Sequence, residues 1–123
     1  MAERIAFDIP PIHKRQRVPM KAIQAVVDWI AQQFDPEQII LFGSHAYGSP
    51  KPWSDVDLLV VMDSKKHPVE ASQEILQALP PFMFSLDILV RSAETIQYRI
   101  NLGDPFLKEI TTRGKVLYAR TDR

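Results

Sequence analysis

The sequence has no cysteine, and its charges cancel, with 15 Lys and Arg residues against 15 Asp and Glu residues. The absence of cysteine excludes a disulfide framework and a thiolate metal site. The zero net charge excludes a global positive field that would draw the chain to nucleic acid. The opening segment, MAERIAFDIP, lacks the apolar stretch of a signal peptide, and no apolar run is long enough to cross a bilayer. We therefore expect a cytoplasmic protein that binds neither membranes nor nucleic acid directly.

The chain of 123 residues suits one domain, and no repeat, low-complexity segment or internal boundary divides it. Residues 1–18 are interpreted as a lead-in segment and residues 19–120 as the domain. Alternating helical and strand patterns predict an α/β (α+β) fold, with a mixed β-sheet and helices packed on it. The predicted elements are a helix from Pro19 to Phe34, strands at Gln38–Phe42 and Val56–Met62, a helix at Val69–Leu79, a strand around Phe84–Val90, helices at Ser92–Asn101 and Asp104–Gly114, and a strand at Lys115–Ala119.

The most informative stretch runs from Ile39 to Met62, where two apolar strands flank a polar, turn-rich segment. This segment is short, which favours antiparallel pairing of the two strands because a parallel crossover usually needs a dozen or more residues. Asp55 and Asp57 open the second strand. Residues two apart on a strand point to the same face, so their carboxylates stand side by side.

Two neighbouring carboxylates repel each other unless a cation lies between them. Mg²⁺ prefers oxygen ligands, commonly one or two carboxylates together with water and substrate phosphates. Gly43 lets the backbone approach a phosphate closely, and Ser44 can present its hydroxyl and backbone N–H groups to an anion. The combination predicts one site for a metal-chelated polyphosphate.

Asp87 lies in the middle of a later strand, SLDILV, on the face opposite to Leu86 and Ile88. Two simpler interpretations remain open. Asp55 and Asp57 could form a solvated strand end, and neighbouring backbone or serine donors could satisfy Asp87.

Gly43-Ser44, ten residues, and Asp55-Val56-Asp57 together resemble the GS-x10-DxD motif of the nucleotidyltransferases with a DNA polymerase β-like fold. The small size resembles the minimal nucleotidyltransferase (MNT) branch, and Asp87 matches the third carboxylate of the family. The resemblance implies that Asp55, Asp57 and Asp87 are catalytic and bind one or two Mg²⁺ ions. It also implies that ATP is the substrate, with Gly43, Ser44, His45 and Tyr47 on the nucleotide.

The sequence departs from the family directly after Gly-Ser, where arginines often occur and this chain has His45-Ala46-Tyr47-Gly48. His45 and Tyr47 can still contact phosphate or base. Without the positive charge of these arginines, however, the sequence does not explain how the triphosphate is bound tightly. A small basic cluster lies in the lead-in segment and comprises His13, Lys14, Arg15 and Arg17. It is either a solvated segment or a contact to phosphates or an acidic surface of the acceptor.

Larger nucleotidyltransferases carry extra domains that bind the acceptor, so we expect the acceptor to dock on the core or a second polypeptide to complete the site. The resemblance extends to MntA-type antitoxins of HEPN/MNT toxin–antitoxin pairs, which transfer AMP to a tyrosine hydroxyl of a HEPN-domain RNase toxin. It therefore implies a hetero-oligomer with a HEPN partner. The alternatives are a non-catalytic antitoxin or nucleotide-sensing subunit that neutralises by binding and, less favoured, a small-molecule (antibiotic) nucleotidyltransferase.

Overall fold

The computed structural model describes residue 12 and residues 15–82 and 84–121. Its elements, in chain order, are α1 (Met20–Phe34), β1 (Gln38–Phe42), α2 (Ser44–Tyr47), β2 (Val56–Val61), α3 (Pro68–Ala78), β3 (Leu86–Arg91), α4 (Ala93–Asn101), α5 (Pro105–Arg113) and β4 (Lys115–Ala119). The ranges predicted for β1 and β4 agree with the structure, and the other predicted ends differ by a few residues at most. Most of the lead-in segment, including His13 and Lys14, lies outside the described residues.

The four strands form one mixed sheet in the order β3-β2-β1-β4. β1 runs antiparallel to β2 and to β4, whereas β2 and β3 are parallel. The predicted mixed sheet and the predicted antiparallel pairing of the first two strands are both confirmed. The crossover connection between the parallel strands β2 and β3 contains the helix α3. Parallel neighbours need a long connection of this kind, because the chain must return to the same end of the sheet.

Alternate residues of the strands pack on opposite faces of the sheet. On one face, Ile39 and Leu41 of β1 and Leu58 and Val60 of β2 form the larger apolar cluster with α1 and α3. On the other face, a smaller cluster includes Ile40 and Phe42 of β1 and Leu59 and Val61 of β2, together with residues of α4 and α5. Both faces of β1 and β2 are covered, which explains why these strands are almost continuously apolar.

Local signals explain where the helices begin. Ser92 accepts a hydrogen bond from the backbone N–H of Thr95, and Asp104 accepts from those of Phe106 and Leu107, so both are N-caps. Pro19 was predicted as the first helical residue of α1, but it is the N-cap, because its ψ of 142° is extended rather than helical. Across the described ranges, no helix combines the length and the apolar character that a membrane span requires.

The end of β1 and the starts of β2 and β3 meet at one edge of the sheet, because β2 is antiparallel to β1 and parallel to β3. Phe42, the last residue of β1, is the register partner of Asp57. A connection of only three residues, Asp35 to Glu37, joins α1 to β1, so the helix runs back along the strand. The start of α1 therefore lies toward the same edge.

Candidate active site

Two of the three predicted carboxylates are direct neighbours across the parallel strand pair. Asp57 of β2 and Asp87 of β3 are register partners, on strands that lie about 4.8 Å apart. Asp55 immediately precedes β2 and is two residues from Asp57, which places it toward the same face. The smaller apolar cluster, which includes Leu59 and Leu89, continues this face beyond the carboxylates.

The burial of the three carboxylates differs. Asp57 is half-buried, whereas Asp55 and Asp87 are exposed. Burial, and then the negative charges of Asp87 and Asp55, raise the pKa of Asp57 to about 6. The ion pairs within the described ranges are all made by other acidic residues, so no cationic side chain there neutralises these three.

The donor set fits a magnesium ion, because it offers only hard carboxylate oxygens at a point where negative charge is already crowded. The raised pKa of Asp57 is the observation that supports this fit, since a bound cation would relieve the crowding. Among the described residues, the side chains as placed do not bring three metal-ligating groups together as a closed cluster. Convergence of Asp55, Asp57 and Asp87 on Mg²⁺ therefore stays a prediction.

Gly43 lies directly against the Asp57 carboxylate. Its φ of 75° is in the left-handed region that favours glycine, and a Cβ built on it would collide with Oδ2 of Asp57. Its carbonyl accepts hydrogen bonds from the N–H groups of Ala46 and Tyr47, which fold the chain into α2 directly after Ser44. The Gly-Ser turn and the carboxylates thus form one continuous surface.

The loop between α2 and β2 is held by a tight turn at residues 51–54. The N–H of Ser54 donates to the Lys51 carbonyl (3.0 Å), and the N–H of Lys51 donates to the Ser54 hydroxyl (2.7 Å). Trp53 projects from this turn and is 66% exposed, two residues before Asp55. An exposed indole therefore lies close to Asp55 along the chain.

His45 is buried, with 2% of its surface exposed, so its side chain does not face solvent in this conformation, and its contact with a nucleotide stays a prediction. Its Nδ1 lies 3.1 Å from the backbone carbonyl of Asp55, and within the described structure its Nε2 has no hydrogen-bond partner. Burial, followed by the positive charges of Arg17 and Arg15, lowers the pKa of His45. The neutral ring therefore donates from Nδ1 and fixes the chain where the second strand begins.

His45→Ala is expected to lower the free energy of unfolding by about 2–4 kcal/mol, because a packed side chain and a buried hydrogen bond are both lost. Since the folded pKa of His45 is below its ordinary value of 6.5, the unfolded chain takes up the proton first as the pH falls. The stability due to the neutral ring is present above pH 6.5 and declines below it. The raised pKa of Asp57 changes stability in the opposite direction over part of this range, in the wild type and the variant alike, so the measurement compares the two proteins. In urea unfolding from pH 8 to 5, the stability advantage of the wild type over His45→Ala should shrink as the pH falls, and an advantage that stays constant would contradict the assignment.

Tyr47, the other predicted nucleotide contact beyond Ser44, is half-buried and packs against the smaller apolar cluster. The guanidinium carbon of Arg113, at the end of α5, lies 4.7 Å from the centre of its ring, which is a cation–π contact. The ring is therefore held in place at the edge of the site, and its contact with a nucleotide remains a prediction.

Sequence reasoning missed the structural role of His45 and the contact between Arg113 and Tyr47. The pairing of His45 with Asp55 spans ten residues along the chain, and Arg113 comes from a helix 66 positions away from Tyr47.

Comparison with known proteins identifies the family and the fold of the domain that carries these carboxylates. Residues 24–123 match the family model described as "Polymerase beta, Nucleotidyltransferase", so the chain belongs to that family. A search of curated proteins found no match.

Among solved structures, the chain is similar to a crystal structure of a "putative nucleotidyltransferase" from Sulfolobus solfataricus. The TM-score is 0.55 and the identity 20%, over 82% of this chain and 80% of the other. At this identity the likeness shows the fold. Family and fold together establish a nucleotidyltransferase domain.

Proposed function

We propose that this protein is a magnesium-dependent adenylyltransferase that moves AMP from ATP to a tyrosine hydroxyl of a HEPN-domain partner protein, as the antitoxin of a HEPN/MNT pair. The observation that carries the proposal is the registration of Asp57 beside Asp87, with Gly43 packed directly against Asp57. Membership of the family supports nucleotidyl transfer. The resemblance to MNT domains supports the choice of nucleotide, acceptor and partner.

The geometry suggests a role for each of these residues in the reaction. The β- and γ-phosphates of ATP would lie along Gly43 and Ser44, where the backbone is open to close approach. Asp55, Asp57 and Asp87 would hold Mg²⁺, which, when bound, neutralises phosphate charge and makes the acceptor hydroxyl more acidic. Asp87, which is exposed, would accept the proton of that hydroxyl. The hydroxyl oxygen then bonds to the α-phosphorus, the bond to the bridging oxygen breaks, and diphosphate leaves.

The exposure of the site supports a macromolecular acceptor. Asp55 and Asp87 are both open to solvent. Trp53, two residues before Asp55, is a large exposed apolar side chain, of a kind that is frequent where proteins contact other proteins. An acceptor hydroxyl on the surface of a folded partner can therefore reach the carboxylates without entering a deep cavity.

The test is to coexpress the protein with a candidate HEPN-domain partner and to measure the partner by intact-mass and peptide mass spectrometry. The expected result is the addition of AMP to a tyrosine, with the modification lost when Asp57→Asn or Asp87→Asn replaces the wild type. Asp63→Asn is the matched control, because Asp63 is an exposed acid beyond the other end of β2. It should leave the modification intact.

Two outcomes would reject this reaction. Addition of phosphate alone would mean attack at the γ-phosphorus, which is kinase chemistry. Neutralisation of the partner with no covalent change would instead favour an antitoxin that acts by binding.

A further inference from the structure

The segment that follows Gly43 and Ser44 contributes no cationic side chain to the site. The side chain of His45 is buried, and the next residues are Ala46 and Tyr47. A nucleoside triphosphate carries several negative charges, and the site already contains three carboxylates. Mg²⁺ offsets only part of this charge, so a further source of positive charge is needed near the Gly-Ser turn.

The start of α1 lies close enough to Gly43 and Ser44 for the residues there to supply this positive charge. α1 has 15 residues and β1 has 5. At about 1.5 Å per helical residue and about 3.4 Å per strand residue, the helix is long enough to run back past the end of β1. The residues just before α1 therefore reach the edge where Gly43 follows β1.

Arg15 and Arg17 occupy this position. The Nε of Arg15 donates a hydrogen bond (3.2 Å) to the carbonyl of Pro52, in the loop between the Gly-Ser turn and Asp55. Val18, the neighbour of Arg17, is buried in the larger apolar cluster, and Ala46, two residues after Ser44, packs against the same cluster. Both arginines thus lie on the side of the molecule that carries Gly43 and Ser44.

Within the described part of the chain, no contact of Arg17 neutralises its charge. Its Nε donates to the carbonyl of Val18 (3.2 Å), and its Nη2 approaches the sulfur of Met20 (3.3 Å). Both partners are neutral, and the ion pairs recorded in the described structure do not include Arg17. Arginine suits phosphate because its planar fork makes paired, charge-assisted hydrogen bonds.

We propose that Arg15 and Arg17 bind the triphosphate of the nucleotide held at Gly43 and Ser44, so that the lead-in segment supplies the positive charge missing after the Gly-Ser turn. The inference rests on the proposed function, because it requires a nucleoside triphosphate at that turn. From the sequence alone, the basic cluster of this segment is either solvated or a contact to phosphates or to an acidic surface of the acceptor. The proposal selects the phosphate contact.

The experiment measures the binding of ATP and of AMP to the full chain with Mg²⁺ by titration calorimetry, at low and at moderate salt. Arg17→Gln should weaken ATP binding by about 10-fold or more, the loss expected for a charge-assisted hydrogen bond, and should weaken AMP binding much less. Arg15→Gln should act in the same direction. Arg17→Lys keeps the charge and should recover most of the affinity. The salt dependence of ATP binding should become shallower in both Gln variants.

Lys65→Gln is the charge-matched control, since Lys65 is exposed in the turn after β2, away from the site edge; it should bind ATP within about 2-fold of the wild type. Equal affinity of the wild type and both Gln variants for ATP would overturn the role of the arginines while leaving the proposed function standing. A parallel loss for ATP and AMP, with a lowered melting temperature, would also overturn it, because it indicates a structural role. Absence of ATP binding by the wild type would remove the proposed function and this inference together.

Discussion

Asp57→Asn is expected to abolish nucleotidyl transfer and, at the same time, to make the metal-free protein more stable above pH 6. The loss of transfer should be at least about 1000-fold, because in the proposed reaction the Asp57 carboxylate positions the metal and the phosphates. The gain in stability has a separate cause. Asp57 is the half-buried member of the carboxylate group, and its neighbours Asp87 and Asp55 add repulsion to its burial.

The direction of the pH effect follows from the raised pKa of Asp57. In the unfolded chain this carboxyl ionises at about 3.8, and in the folded chain at about 6. Between these values the folded state holds a proton that the unfolded state has lost, so stability falls as the pH rises. Above pH 6 both states are ionised and the full cost remains, at about 1–2 kcal/mol after allowance for solvent around the half-buried group. Asparagine removes this cost.

Denaturant unfolding at pH 7.5 and pH 4, with and without Mg²⁺, measures the effect. Without metal, Asp57→Asn should exceed the wild type at pH 7.5 and lose most of that advantage at pH 4. Added Mg²⁺ should stabilise the wild type by binding its folded state, and should stabilise the variant much less. Asp63→Asn again serves as the control. A variant less stable than the wild type at pH 7.5 would show that the carboxylate is not under electrostatic strain.

The variant Asp87→Asn is expected to bind ATP but not to transfer the nucleotidyl group. Because Asp87 lies on the neighbouring strand while Gly43 packs against Asp57, the phosphate contacts should survive its replacement. We expect ATP to bind with Mg²⁺ and transfer to be lost. Loss of ATP binding equal to that of Asp57→Asn would contradict this division of roles.

Gly43→Ala is expected to damage both the fold and the site. The φ of 75° costs any residue with a Cβ about 1–3 kcal/mol, and the Cβ would also collide with the Asp57 carboxylate. Crowding of a packed site adds a comparable amount, so the free energy of unfolding should fall by about 2–5 kcal/mol in total. Since the collision falls on Asp57, magnesium-dependent ATP binding should be lost even at temperatures where the variant remains folded.

Gly103→Ala isolates the backbone part of this effect. Gly103 also has a left-handed φ, of 95°, but a Cβ there would meet nothing within 4 Å. This variant should lose only about 1–3 kcal/mol and should bind ATP normally. If both variants bind ATP equally well, the contact between Gly43 and Asp57 has no functional importance.

The sequence predicts the elements of this fold well because the signals are local. Gly114 ends α5, and Ser92 and Asp104 begin helices through hydrogen bonds to residues two or three positions away. The antiparallel pairing of β1 and β2 follows from the short segment between them. The three carboxylates were also identifiable, because their alternation along strands determines which face they share.

What the sequence does not reveal depends on contacts between distant parts of the chain. Arg15 bonds to Pro52 across 37 positions, and Arg113 meets Tyr47 because α5 packs back onto β1. His45 carries the same residue-level signal whether it faces a nucleotide or the interior. Only the packing of α2 between the strands selects the interior.

The position of the two paired carboxylates within the sheet has a consequence for how the site moves. Among the residues that the structure describes, β2 is hydrogen-bonded on both sides, by β1 and β3, whereas β3 is an outermost strand that pairs with β2 alone. Asp57 therefore belongs to the part of the molecule whose local unfolding costs most, and Asp87 to a part that opens more readily. Small displacements of β3 change the separation of the two carboxylates without disturbing the Gly43 contact. In the proposed reaction, the more rigid strand would thus hold the phosphates and the more mobile strand would face the acceptor.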